Sequence, residues 1–185
     1  AWPGGVQEVD DPYRFSTVLG ELDVWLLAEG SHLRPFERLG AHLREIDGVK
    51  GTAFAVWAPD AQRVSVIGDF NTWDGRRHPM RLRRECGVWE IFIPGVGAGT
   101  CYKYEIRSHA GHVLPHKADP YGFAAELRPS TASVVCELPQ TTSRRAVGAG
   151  SRLNTPVSIY EVHLGSWRRP EDGGFPDWQR LSETL

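Results

Sequence analysis

A loop sequence at residues 68–80, GDFNTWDGRRHPM, contains the residue types best suited to a sugar-binding surface. Trp73 lies among turn-forming residues, where core packing does not obviously demand an indole. Sugars present C–H faces that stack on aromatic rings, and their hydroxyl groups hydrogen-bond to amides and charged side chains. Asn71 and Asp74 flank Trp73, and Lys103 is expected on the outward face of a later strand. These residues predict a sugar platform. The alternative is that Trp73 folds back over the sandwich edge and its neighbours only make the turn.

Catalytic chemistry has fewer candidates. Cleaving a glycosidic bond requires two carboxylates roughly 5–10 Å apart in a cleft. Asp119 and Glu161 are the most interesting acidic residues, and His163 follows Glu161 in the same apolar run. The chain has no nucleophile elbow, no phosphate-binding loop and no Cys/His cluster with metal-ligand spacing. We therefore expect no complete catalytic constellation, no metal and no cofactor.

A run of basic residues follows the loop. Arg81 and Arg83 alternate with Met80 and Leu82, which indicates an edge strand with one solvated face. A net charge of −2 argues against nucleic acid or an anionic membrane as the partner. The basic residues are Arg76, Arg77, His78, Arg81, Arg83 and Arg84.

The elements that would position these residues are mostly strands. Asp47-Gly48 is a hairpin-turn dipeptide, and period-two apolar alternation recurs between residues 40 and 139, bounded by Gly, Pro, Asn or Asp. This pattern predicts an antiparallel β-sandwich over 40–139. The alternating inward residues are Phe54 and Val56; Val64, Val66, Gly68 and Phe70; Trp89, Ile91 and Ile93; and Tyr102, Tyr104 and Ile106.

The segments on either side differ in character. Residues 16–29 predict a short amphipathic helix with Ser16 as N-cap and Gly30 past its end, on which Val18, Leu22, Trp25, Leu26 and Glu29 recur at three- and four-residue spacings. We assign 16–39 as a helical connector and the polar stretch 140–156 as a linker. Residues 157–164 predict a buried parallel strand, and the sequence from Asp177 begins to look helical. Residues 157–185 thus look like the first βα unit of a larger domain.

One phrase occurs twice: DPYRF at Asp11–Phe15 and DPYGF at Asp119–Phe123, 108 positions apart (119 minus 11). The second copy closes the predicted sandwich. The first, residues 1–15, is then expected to be the tail of a preceding, related sandwich, unless a Pro turn has recurred by chance.

The amino-acid composition also indicates a cellular compartment. The three cysteines lack C-x-x-C spacing, which favours reduced thiols in a cytoplasmic protein. No apolar run approaches a membrane span, and the first residues do not resemble a signal peptide.

The chain resembles bacterial 1,4-α-glucan (glycogen) branching enzymes of the α-amylase superfamily in four stretches: FAVWAPDAQRVSVIGDFNTWDGRRHPMRLR, GTCYKYEIR, KADPYGFAAELRPSTASVV and SIYEVHLGSWRR. The resemblance implies immunoglobulin-like N-terminal domains, one of them a family-48 carbohydrate-binding module, followed by a (β/α)8 catalytic barrel. It implies cleavage of an α-1,4 bond through a covalent intermediate on an Asp, and transfer to a 6-hydroxyl with a Glu as acid/base. Those carboxylates belong to later barrel strands, so this chain alone is expected to be inactive.

The resemblance also implies ligand positions. Trp73 and Lys103 match two usual glucan-binding positions of such modules, and Asn71 lies beside them. Val113 stands near the place of a second stacking Trp, and Ala132 near the place of an Asn. The expected partners are α-1,4-glucan or glycogen and the catalytic barrel of the same polypeptide. The alternatives are a stand-alone glucan-binding module and the N-terminal part of a debranching or trehalose-releasing hydrolase.

Overall fold

The computed structural model describes residues 10–138, 159, 161–167, 173–174 and 177–184. The chain divides into two compact units, Ala1–Pro139 and Gln140–Leu185. The first unit is built from eight strands and one regular helix, α1 (Glu21–Glu29). The strands are β1 (Gly40–Ile46), β2 (Val49–Trp57), β3 (Ala61–Gly68), β4 (Arg81–Arg83), β5 (Val88–Pro94), β6 (Cys101–Ser108), β7 (Ala124–Ala125) and β8 (Ser133–Val134).

The strands form two antiparallel four-stranded sheets. The first has the order β1-β2-β5-β4 and the second the order β3-β6-β8-β7. One hydrophobic core holds inward residues of both sheets, as in a β-sandwich. The prediction of an antiparallel sandwich is confirmed.

The predicted alternation places the right residues inside. On β2, Phe54 is fully buried and packs edge-on against Tyr102 of β6, with ring centroids 5.0 Å apart. The same core includes Val64 and Val66 of β3 and Ile91 of β5. The predicted hairpin is present as well: Asp47 and Gly48 have positive φ angles of 51° and 77° and join β1 to β2, as a two-residue hairpin turn requires.

Residues 11–39, which we call the covering segment, lie over the outer face of the first sheet. Phe15 packs edge-on against Phe92 of β5, with centroids 4.8 Å apart. The carboxylate of Glu90, only 2% exposed, accepts hydrogen bonds from the backbone N–H groups of Val18 (2.7 Å) and Leu19 (2.9 Å). The covering segment therefore buries the part of this outer face that carries Glu90 and Phe92.

The helix of the covering segment differs from its prediction in start and in phase. It begins at Glu21 with Gly20 as N-cap, because the residues just before it are bound to Glu90. Val24 faces the sheet, whereas Leu22 and Trp25 are 68% and 55% exposed. The predicted apolar stripe is wrong, because the anchored backbone sets the orientation of the helix. Gly30 ends it in the left-handed conformation, as predicted.

The predicted edge strand is present as β4, but its arginines do not form a solvated face. Arg81 donates to the backbone oxygens of Tyr13 and Phe15. Arg83 donates to the backbone oxygen of Leu19 at 3.0 Å. These two guanidinium groups therefore clamp the covering segment onto the sheet.

The repeated phrase forms the same turn in both places. The Asp11 side chain accepts from the Tyr13 N–H at 2.9 Å, and the Asp119 side chain accepts from the Tyr121 N–H at 2.8 Å. This Asx turn starts the chain bend in each copy. Sequence identity here corresponds to identical local hydrogen bonding.

The second unit contains two short helices among its described residues, α2 (Leu164–Trp167) and α3 (Trp178–Thr184). The helix expected after Asp177 is present. The whole predicted linker, 140–156, and residues 157, 158 and 160 of the strand predicted over 157–164 lie outside the described residues. Glu161–His163 are in no strand, and Leu164 begins a helix.

Candidate functional site

The loop after β3 has an unusual backbone. A single 3-10 turn over Asp69–Asn71 is followed by Thr72 and Trp73, both left-handed with φ of 57° and 58°. The Trp73 N–H donates to the Gly68 carbonyl at 2.9 Å. Two consecutive non-glycine residues in this conformation persist only where their surroundings enforce it. The position of Trp73 is therefore fixed by the loop.

Asn71 enforces that backbone from beneath. It is 1% exposed. Its Oδ1 accepts from the Gly68 N–H at 3.0 Å, and its Nδ2 donates to the Val66 carbonyl and to Nδ1 of His78, both at 2.9 Å. An amide with its groups thus engaged, below the surface, cannot also meet a sugar. The structure corrects the expectation that Asn71 contacts ligand: it supports the loop.

The indole ring of Trp73 is oriented by a polar contact. Its Nε1–H donates to Oδ1 of Asp69 at 2.7 Å. Trp73 is half-buried and belongs to none of the hydrophobic clusters formed by the described residues. The ring is held at the surface, not folded into the core.

The loop lies over the outer face of β6, which also carries Lys103. Tyr102 and Tyr104 point into the core, so Lys103 and Glu105 point outward. A Cβ atom at Gly75 would overlap Oε1 of Glu105, so any larger residue would have to displace that carboxylate, whereas glycine lets the loop lie close to the strand. The Lys103 ammonium donates to the Thr131 hydroxyl at 2.7 Å. The structure thus places Trp73 and Lys103 on the same face of the second sheet.

Asp74 is engaged locally. Its carboxylate accepts from the Arg76 guanidinium at 2.8–3.2 Å and from the Arg76 N–H at 3.0 Å. The side-chain hydrogen bonds from Arg76 lower the pKa of Asp74 well below its usual range. This carboxylate stays ionised and stiffens the turn, and one of the basic residues is thereby paired with an acid.

His78 has a defined tautomer. Asn71 Oδ1 is used as an acceptor, so Asn71 Nδ2 must be the donor to His78 Nδ1. The Nδ1 atom therefore carries a lone pair, and the ring proton is on Nε2. Burial lowers the pKa of His78, and the neighbouring Arg77 acts in the same direction. Neutral His78 thus belongs to the support of the Trp73 loop.

Asp119 is structural in this fold. It is 8% exposed, and its Oδ2 accepts from the hydroxyl groups of Tyr102 (2.7 Å) and Tyr104 (3.0 Å). Its N–H donates to the Ser133 hydroxyl at 2.9 Å. Burial raises the pKa of Asp119, against these hydrogen bonds. The carboxyl group fastens the DPYGF turn to the core and offers no catalytic surface.

The remaining predicted residues are not assembled into a reactive centre. Glu161 and His163 are exposed in the second unit. Val113 is 54% exposed on the turn after β6, whereas Ala132 is buried. Over the part of the chain that the structure describes, no group of His, Cys, Asp or Glu could hold a metal ion.

Sequence reasoning missed three supports of the platform: Asp69, Thr131 and His78. Asp69 lies four residues before Trp73, a spacing at which one turn of chain can bring a carboxylate to an indole N–H. Thr131 could not be paired with Lys103, because it lies in the loop before β8, 28 residues after Lys103.

Comparison with known proteins identifies the family of the sandwich domain. Residues 38–122 match the family described as carbohydrate-binding module 48 (isoamylase N-terminal domain). This range covers β1 to β6 and the whole Trp73 loop. The sandwich is therefore a carbohydrate-binding module of family 48.

Almost the whole chain is also similar to a glucan branching enzyme. The chain is 63% identical over 179 residues to the 1,4-alpha-glucan branching enzyme GlgB of Paramagnetospirillum magneticum (strain ATCC 700264 / AMB-1). The match covers 94% of this chain and 24% of that protein, so the chain spans about a quarter of the relative's length. The chain belongs with the N-terminal part of glucan branching enzymes.

Solved structures give a more distant likeness. Pullulanase from Bacillus acidopullulyticus matches 54% of this chain at 21% identity and a TM-score of 0.42, over 12% of its own length. Klebsiella pneumoniae pullulanase complexed with maltotriose matches 62% of this chain at 24% identity and a TM-score of 0.44, over 10% of its own length. Scores this low support no inference about the site.

Proposed function

We propose that the face formed by Trp73 and Lys103 binds α-1,4-glucan, the type of chain found in glycogen. The observation that carries the proposal is the fixed indole: its backbone is held by Asn71 and its Nε1–H by Asp69. A ring whose position is set before binding loses little side-chain entropy when a sugar stacks on it. The Lys103 ammonium, whose partner Thr131 is exposed, is a hydrogen-bond donor for sugar hydroxyls.

The test compares two tryptophans. Titration calorimetry with maltoheptaose should show that Trp73→Ala weakens binding about tenfold, the equivalent of roughly 1.4 kcal/mol for one aromatic contact. Trp25→Ala is the control, because Trp25 is also exposed but lies on α1, far from the loop in sequence. Equal affinities of the two variants would reject the assignment.

We further propose that the chain functions as the N-terminal part of a cytoplasmic 1,4-α-glucan branching enzyme in glycogen biosynthesis. The similarity at 63% identity over nearly the whole chain supports this. The parent enzyme would transfer an α-1,4-glucan chain to a 6-hydroxyl, with its catalytic carboxylates outside this chain. The described residues include no helix long and apolar enough to cross a membrane.

The proposed organisation follows the same comparison. Residues 1–15 would end a preceding sandwich, 16–39 connect to the immunoglobulin-like module at 40–139, and 157–185 begin a (β/α)8 barrel after a linker at 140–156. The division of the chain after Pro139 supports the module boundary. The barrel would be the intramolecular partner of the module. An iodine-based branching assay on this chain alone should give no activity, and measurable activity would reject the assignment of catalysis to other parts of the enzyme.

A further inference from the structure

A second exposed aromatic surface lies at the opposite end of the sandwich from Trp73. Trp57 ends β2 on the outer side of the first sheet, since Val56 before it points into the core. The strand β3 begins shortly after Trp57 and ends just before the Trp73 loop, eight residues later. At about 3.3 Å per residue, β3 spans roughly 25 Å, and Trp57 and the Trp73 loop flank its opposite ends.

Trp57 lies in a groove, not on a flat face. The groove has a volume of about 820 Å³. Its lining includes the apolar side chains of Leu27, Leu39 and Leu82. Aromatic and charged side chains also line it, among them Trp57, Tyr121, Glu29 and Arg84.

The indole of Trp57 is largely open to solvent. Its side chain is 60% exposed. Gly87, with φ of 71°, accepts a hydrogen bond from the Ala58 N–H at 3.0 Å. A Cβ atom at Gly87 would lie 2.8 Å from Cβ of Pro59 and 3.4 Å from Nε1 of Trp57. Glycine therefore allows the β4–β5 turn to pack close to the segment that begins at Trp57.

We propose that this groove is a second α-glucan contact site of the module. The proposal rests on glucan binding as the proposed function and adds a separate surface to it. Trp57 and Tyr121 offer apolar rings to sugar C–H faces, and the carboxylate and guanidinium groups of Glu29 and Arg84 offer acceptors and donors to sugar hydroxyls. A groove of several hundred cubic ångströms with a few polar groups is typical of small-ligand sites.

The distance between the two sites predicts which ligands the groove affects most. A short oligosaccharide held at Trp73 does not extend to Trp57, whereas a branched polymer presents many chain ends to both. Two weak contacts on one particle reinforce each other through effective concentration. The groove should therefore matter more for glycogen than for a short maltooligosaccharide bound at the Trp73 face.

The test is affinity electrophoresis of the chain in gels containing glycogen. We expect Trp57→Ala to lower the apparent affinity by about threefold to tenfold. Trp57→Tyr, which keeps an aromatic ring, should restore most of it. Trp25→Ala, an equally exposed tryptophan that does not line the groove, should match the wild type. Thermal melts confirm that each variant is folded before its mobility is compared.

The variants separate this proposal from the main one. If Trp57→Ala migrates like Trp25→Ala while Trp73→Ala loses retardation, the groove is not a glucan site. If Trp57→Ala loses retardation and Trp73→Ala does not, the groove stands and the Trp73 face fails. Wild-type protein without retardation would overturn both.

Discussion

Replacing Glu90 with alanine should release the covering segment from the sandwich. The Glu90 carboxylate is buried on the outer face of the first sheet and accepts two backbone N–H groups at 2.7 and 2.9 Å. Arg83 approaches its other oxygen at 3.4 Å. Alanine leaves two backbone donors without their acceptor and removes one of the acceptors of Arg83, which keeps its hydrogen bond to Leu19.

The size of the effect follows from these contacts. Hydrogen bonds to a charged group contribute about 1.5–3 kcal/mol each, and removing one partner of a buried ion pair costs about 3–5 kcal/mol. We expect Glu90→Ala to lower the free energy of unfolding by about 4 kcal/mol, or about 2 M in urea midpoint for a slope near 2 kcal/mol/M. Glu90→Gln keeps one acceptor oxygen for the two N–H groups and loses the contact with Arg83, so about 1–2 kcal/mol is expected.

Urea denaturation followed by circular dichroism measures both variants. Limited proteolysis should also cut Glu90→Ala first within residues 11–39. The control is Glu45→Ala, an exposed carboxylate on β1, which should change stability by less than about 0.5 kcal/mol. If Glu90→Ala unfolds at the same urea concentration as Glu45→Ala and resists protease equally, the covering segment is not held by this carboxylate.

Three further predictions concern the platform and the core. The pKa of His78 is lowered from its usual value of 6.5, so its neutral form is favoured in the fold and stability should fall as pH drops below about 6.5 towards the folded pKa. His78→Asn, which keeps an acceptor near the Nδ1 position but cannot gain a proton, should flatten this part of the pH-stability curve; an unchanged curve would contradict the assigned tautomer. Asp69→Ala should reduce maltoheptaose affinity severalfold by freeing the Trp73 ring, while Asp69→Asn retains an acceptor and most of the affinity; equal losses by calorimetry would count against orientation by hydrogen bonding. Asp119→Ala removes the acceptor of two buried tyrosine hydroxyl groups and should cost about 2–4 kcal/mol in chemical denaturation, and a change under 1 kcal/mol would show that the tyrosines find other partners.

Much of the sandwich could be predicted from the sequence because strand alternation is a local property. Phe54, Val66, Ile91 and Tyr104 reach the core wherever their strands pair, provided the alternation is kept. The turn at Asp47-Gly48 was equally accessible, because two positive φ angles strongly favour those residue types.

The covering segment could not be predicted in the same way. Its path is set by Glu90, which lies more than 70 positions after the residues that it anchors. Strand alternation predicts only that Glu90 points outward, not which segment it binds. The same long-range contact shifted the helix start and turned Trp25 to the surface. Tertiary hydrogen bonding overrode the local helix pattern here.

The sequence predicted which residues lie at the candidate site better than it predicted what each of them does there. Trp73 and Lys103 lie on the expected face, but Asn71 points inward, where its amide makes three hydrogen bonds to β3 and to His78. A side chain's direction within a 3-10 turn does not follow from residue type. The support from Asp69 and His78 therefore emerged only from the folded chain.

The most direct test of the central claim follows the indole N–H signals of the seven tryptophans by NMR during titration with maltoheptaose. The spectrum of Trp73→Phe identifies the Trp73 signal. We predict that this signal shifts in a saturable, concentration-dependent way as the sugar stacks on the ring held by Asp69. A Trp73 signal that stays in place while the sugar binds elsewhere, or while nothing binds at all, would contradict the account.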